Sequence, residues 1–84
     1  MDFENALELL KKGEAVYRKG WNGTNMFIKL KKADDSSDMT QDYIYLDCPK
    51  HDSSDVDARN LVPWLASQTD LLADDWQVVY RSSN

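Results

Sequence analysis

Eighty-four residues, 42% of them hydrophobic and 30% charged, suffice for a single domain spanning 1–84 but not for a two-lobed enzyme with a cleft between its lobes. One cysteine, Cys48, and one histidine, His51, exclude an internal disulfide and a Cys/His zinc site, and no apolar run approaches the roughly 20 residues that span a bilayer. The net charge of −5 is uneven: residues 33–58 hold 8 acidic groups and 1 basic group, residues 1–32 hold 4 and 7, and no clustered basic face for duplex DNA or RNA results.

Along the chain, Asp2 suits an N-cap, and Phe3, Ala6, Leu7, Leu9 and Leu10 recur at helical spacing. A helix over 2–12 follows, with Lys11 and Lys12 complementing its dipole and Gly13 stopping it. Ala15, Val16 and Tyr17 predict a short strand, Arg18 to Gly23 a turn-rich loop around Trp21, and Met26 to Leu30 a second strand. Residues 33–42, rich in Asp and Ser, predict a mobile connection, and residues 49–58 a second exposed, flexible acidic loop. Between them, Tyr43-Ile44-Tyr45-Leu46 is dense in strand formers. Leu61-Val62 gives another short strand, Ser67 or Thr69 can cap a brief helix over 70–75, and Trp76 to Tyr80 closes the fold as a strand. The expected fold class is α+β: a small antiparallel sheet of four or five strands, packed with one N-terminal helix and a short C-terminal helix. So small a chain buries only about two-thirds of its unfolded surface, which predicts self-association. The acidic amino terminus lacks the basic region and cleavage site of a signal peptide, so a cytoplasmic protein is expected.

Catalytic chemistry finds little support. His51 sits in an acidic loop and reads as a solvated histidine, Cys48 as a structural thiol, and the Asp34-Asp35 and Asp74-Asp75 pairs as solvated faces without calcium-loop spacing. No catalytic residue, metal ligand or cofactor is assigned. Binding features are stronger. Trp21, between Gly20 and Asn22-Gly23, reads either as a flat platform for a base or as a core residue at a hairpin end. Pro63 to Asp70 gathers Trp64, hydroxyls, an amide and a carboxylate just ahead of the short helix, where they bind a ligand or simply cap the helix. Trp76 reads as core.

Several stretches also resemble the Thoeris anti-defence protein 2 family of bacteriophages and prophages: Phe3 to Leu10 with Gly13, RKGWNG at 18–23 with Met26-Phe27, and PWLASQTDLLADDW at 63–76 after Val62. Tyr43 to Leu46 is similar to the family's central strand, and together the matching stretches cover more than half the chain. Residues 31–42 and 49–58 depart from the pattern, so no ligand contact carries over to them. The resemblance implies a non-catalytic sponge in the cytoplasm of the infected bacterium. Such a sponge sequesters a cyclic ADP-ribose-type signal, the glycosidic product of the Thoeris TIR enzyme, or a CBASS cyclic oligonucleotide. It also implies a homo-oligomer, a tetramer built as a dimer of dimers, with pockets formed between subunits.

Beside that resemblance stands a physical account. Adenine stacks on Trp21 or another pocket aromatic, with Trp64 a candidate. Asn22, Ser67, Gln68, Thr69 and Asp70 pair with ribose hydroxyls and base edges. Pyrophosphate meets the amides near Asn22-Gly23, the short helix's amino end, or Arg18 and Lys19. The alternative is an acidic protein-interaction inhibitor of a host defence factor, acting through Asp34, Asp35, Asp52 and Asp55.

Overall fold

The computed structural model describes residues 1–21, 25–50, 54, 55 and 58–79. His51 and Asp52 lie outside the described residues, as do Asn22 and Gly23. Helix α1 (Phe3–Lys11) starts where Asp2 Oδ1 accepts the Asn5 N–H at 3.0 Å. It ends at Gly13, whose φ of +93° strains any residue with a Cβ. The Gly13 N–H then reaches the Leu10 carbonyl and the Glu14 N–H the Leu9 carbonyl, both at 3.0 Å, satisfying carbonyls the helix leaves open.

Among the described residues five strands follow: β1 (Val16–Arg18), β2 (Phe27–Lys31), β3 (Tyr43–Pro49), β4 (Arg59–Pro63) and β5 (Trp76–Val78), with a 3-10 turn at Lys19–Trp21 and helix α2 (Gln68–Leu72). They form one antiparallel sheet in the order β4-β3-β2-β1-β5, the expected α+β architecture. Register aligns Val78, Val16, Ile28, Leu46 and Val62 in one row across the sheet. Helix α1 packs on β1, β2 and β5, and Ala6 and Leu10 join Val16, Ile28 and Trp76 in a core with no exposure to solvent. Fully burying side chains such as Leu10, Val16 and Ile28 contributes roughly 1.5 to 3 kcal/mol each. Strand alternation then sends Gln77, Tyr17, Phe27, Asp47 and Leu61 to the opposite face, which none of the described helices covers.

Element boundaries differ from the sequence reading where side chains override local pattern. Strand β3 runs on through Asp47, Cys48 and Pro49, and β4 begins at Arg59 instead of Leu61. Arg59 Nε donates to Asp47 Oδ1 at 2.7 Å across that pair, while its guanidinium lies 5.3 Å from the Phe27 ring, so polar residues are held in the sheet. Helix α2 starts and stops earlier than 70–75, because Ser67 caps it and Ala73 leaves helical geometry at ψ 151°. That exit turns the chain so that Trp76 enters β5. The 33–42 segment is organised locally: Asp34 Oδ1 accepts from the Ser36 backbone and hydroxyl, and Asp42 Oδ1 from the Ala33 N–H at 2.9 Å.

Candidate functional site

Trp76 is the centre from which the site is built. Its ring is fully buried and lies 5.2 Å from Phe3, 6.0 Å from Trp64 and 5.4 Å from Trp21, the last two edge-on. A buried indole N–H needs an acceptor, and the Asp70 carbonyl supplies it at 3.0 Å. Trp76 therefore belongs to the core, as its sequence setting suggested, and it also ties α2 to the sheet.

Arg18 is the second tie. It neighbours Trp76 in the β1–β5 ladder. Its Nε donates to Asp75 Oδ1 at 2.8 Å and its Nη1 to Asp70 Oδ1 at 3.0 Å. These side chains are largely buried, at 18% exposure for Arg18, 14% for Asp70 and 28% for Asp75. The carboxylates of Asp75 and then Asp70 raise the Arg18 pKa further. The Arg18 hydrogen bond, joined by the Gly20 N–H, holds the Asp75 carboxyl below the ordinary aspartate range despite partial desolvation. Desolvation pushes Asp70 upward, but hydrogen bonds from Arg18 and Ser67 outweigh it and leave this carboxyl low as well. Asp74 is exposed, as a solvated face predicts, but Asp75 is not part of such a face: its ion pair draws it inward.

Trp21 resolves the two readings its sequence left open. It is half-buried: its ring packs against Trp76, and it also lines a groove of about 460 Å³ on the uncovered face of the sheet. Tyr17, Lys19, Phe27 and Gln77 line that groove with it. The Tyr17 hydroxyl donates to Gln77 Oε1 at 3.0 Å, which leaves the Gln77 amide hydrogens as donors for something else. The volume falls in the range of small-molecule sites, and the lining combines aromatic faces, an ammonium and an amide.

The remaining sequence candidates divide by position. Ser67 and Asp70 form a reciprocal capping box, Asp70 N–H to Ser67 Oγ at 3.0 Å and Ser67 N–H to Asp70 Oδ2 at 3.2 Å. Gln68 and Thr69 are exposed on α2. Trp64 lines a different, apolar cleft of about 470 Å³ with Phe3, Leu7, Ile44 and Leu71. Within one chain, then, Arg18 and Trp76 bring the Trp21 turn and the 67–70 run together, yet only Lys19 and Trp21 of the candidates described reach the groove. Arg18 with its two carboxylates sums to one negative charge, which does not favour a pyrophosphate, whereas Lys19 faces the groove. Sequence reading missed Tyr17, Phe27 and Gln77, although period-two alternation along β1, β2 and β5 puts all three on one face.

Residues 1–79 match the Thoeris anti-defense 2-like domain. A relative named Thoeris anti-defense 2, from Bacillus phage SP01, is 42% identical over 84 residues, covering 94% of each chain. The chain belongs to the Thoeris anti-defense 2 family. The match to the Thoeris anti-defense 2 family covers residues 1–79, and so every segment that carries the groove, the Arg18 tie and the Trp76 cluster in this chain. Membership makes the chain a phage anti-defence protein. Among the described residues no group of His, Cys, Asp or Glu could hold a metal ion, and no helix is long and apolar enough to cross a membrane.

Proposed function

We propose that this protein captures a cyclic ADP-ribose-type immune signal and holds it without cleaving it, in the cytoplasm of the infected bacterium. The observation that carries the reading is the groove at Trp21: an indole backed by a buried aromatic cluster, with Lys19, Tyr17 and Gln77 around it. Adenine stacks on the indole, which supplies roughly 1 to 3 kcal/mol. Lys19 offers charge to the pyrophosphate, and the Gln77 amide a donor to a hydroxyl or base edge. Asn22, Gly23, Ser67, Gln68, Thr69 and Asp70 belong to the same reading as contacts contributed where copies of the chain meet. Capture is stoichiometric, so affinity replaces turnover: nanomolar binding needs about 12 kcal/mol, reached by a pre-formed site and not by area alone. Cyclic oligonucleotide signals of CBASS share the adenine and phosphate chemistry and fall within the same proposal.

The proposed assembly is a homotetramer, a dimer of dimers. It is supported by the small core, by the uncovered sheet face and by large apolar side chains left in solvent, among them Leu65 at 92% and Leu72 at 83% exposure. The test is to incubate the purified protein with glycosidic cyclic ADP-ribose, remove the protein, then release the ligand by heat. The expected result is depletion of the signal and its recovery at unchanged mass, with Trp21→Ala weakening capture about 5- to 150-fold, the stacking energy expressed as affinity. Recovery of a cleaved product identifies an enzyme. Absence of depletion, with a host protein retained by the chain and released when Asp34 and Asp35 are neutralised, favours the inhibitor reading instead.

A further inference from the structure

We propose that Asp75 is a positioning residue for the capture groove: it fixes the Lys19–Trp21 turn, and with it the attitude of the Trp21 indole, without touching the ligand. The inference rests on the capture reading and adds a residue that this reading does not contain.

Asp75 meets the turn at two points and the strand residue before it at a third. Its backbone carbonyl accepts the Lys19 N–H at 3.0 Å, its Oδ2 accepts the Gly20 N–H at 3.1 Å, and its Oδ1 takes the Arg18 Nε–H at 2.8 Å. Two consecutive peptide groups, 18–19 and 19–20, which lead into Trp21, are thus bound to one residue from the far end of the chain. The approach is close, since a Cβ at position 20 would stand 3.4 Å from Asp75 Oδ2. Arg18 locks the carboxylate in turn: its Nε engages one oxygen, its Nη2 lies 3.5 Å from the other, and its Nη1 is held by Asp70. The carboxylate therefore has little freedom to rotate away from Gly20. Strand alternation separates this device from the ligand side, because Tyr17 and Gln77 face the groove while Arg18 and Trp76, one residue along each strand, face the helix side. Asp75 is not among the groove's lining residues. A stacking surface works only at the right height and tilt, so fixing the two peptides that precede Trp21 removes motion that ligand binding would otherwise have to freeze.

The experiment compares the wild-type protein with Asp75→Asn, Asp75→Glu and the exposed neighbour Asp74→Asn. Binding of glycosidic cyclic ADP-ribose is measured by calorimetry, and exchange of the Gly20 amide and of the Tyr45 amide, which faces Lys29 within the sheet, by NMR. Losing a charge-assisted acceptor should weaken binding by roughly tenfold or more in Asp75→Asn and speed Gly20 exchange by a larger factor than Tyr45 exchange, which reports the global loss of stability. Asp75→Glu keeps the charge opposite Arg18, and so the fold, but displaces the carboxylate by one methylene; it should remain folded and still lose affinity. Asp74→Asn should match wild type. Wild-type binding with both Asp75 variants within about twofold of it overturns the positioning role, since a shift that small is under 0.5 kcal/mol. The same holds if Gly20 and Tyr45 exchange quicken by the same factor, because Asp75 then acts only on global stability. A wild-type protein that binds nothing removes the capture reading, and this inference with it, before any variant is compared.

Discussion

At the residue scale, Arg18, Asp70 and Asp75 are better understood as an electrostatic joint than as three surface charges. Buried ion pairs stabilise little in themselves, because desolvation offsets much of the attraction, but breaking one leaves the other charges uncompensated. That asymmetry gives a pH dependence with a definite sign. Asp70 and Asp75 both titrate below the ordinary aspartate value in the folded protein. Their contribution to stability is therefore complete above the unfolded value, about 3.9, and is lost as pH falls through the lower folded values. The exposed Asp34, held low by Ser36 and Lys31, adds a similar but separate contribution from its own loop. The urea midpoint should be level through the neutral range and decline below about pH 4. Asp75→Asn should start from a lower midpoint at neutral pH and decline less steeply. An equal decline in variant and wild type would show that other carboxylates govern acid unfolding.

At the element scale, what could be read from sequence was what local chemistry decides. The start and end of α1 follow from Asp2 and Gly13, and the strand character of Tyr43 to Leu46 from its β-branched and aromatic side chains. What could not be read depends on partners distant in sequence. Arg59 and Asn60 look like loop residues until Asp47 and Phe27 stand opposite them, and Asp75 looks solvated until Arg18 arrives from β1. The groove has the same character: Tyr17, Phe27 and Gln77 come from three strands, and only the β5-β1-β2 order makes them neighbours. Gly13 shows the local kind of control in testable form. Its amide and that of Glu14 close the helix only at a φ of +93°. No atom outside its chain neighbours lies within 4 Å of a Cβ built there, so the cost of Gly13→Ala is backbone strain without a clash. That substitution should destabilise the fold by about 1 to 2 kcal/mol, read from the urea midpoint, with signal capture unchanged in the folded fraction. A neutral result would mean that the helix end relaxes to another geometry.

At the scale of the whole molecule, the proposed tetramer sets a geometric requirement that one chain can be checked against. A dimer of dimers closed by two-fold axes needs two different self-complementary patches on each subunit. The chain leaves apolar side chains in solvent on both sides of its sheet. Leu61, 62% exposed, lies in the row with Phe27 on the face no described helix covers, while Leu72 extends from α2, which packs beside α1 on the other face. If each patch forms one of the two interfaces, charging either should halve the assembly and charging both should give single chains. Native mass spectrometry should therefore find tetramers for the wild type, dimers for Leu61→Asp and for Leu72→Asp, and monomers for the double variant. Because both leucines are exposed in the isolated subunit, neither change removes core packing, and loss of assembly can be separated from unfolding by circular dichroism. A wild-type mass retained by either single variant removes that patch from the interface. Contacts proposed from Ser67 to Asp70 across copies depend on the α2 side in particular, so Leu72→Asp should weaken signal capture more than Leu61→Asp does.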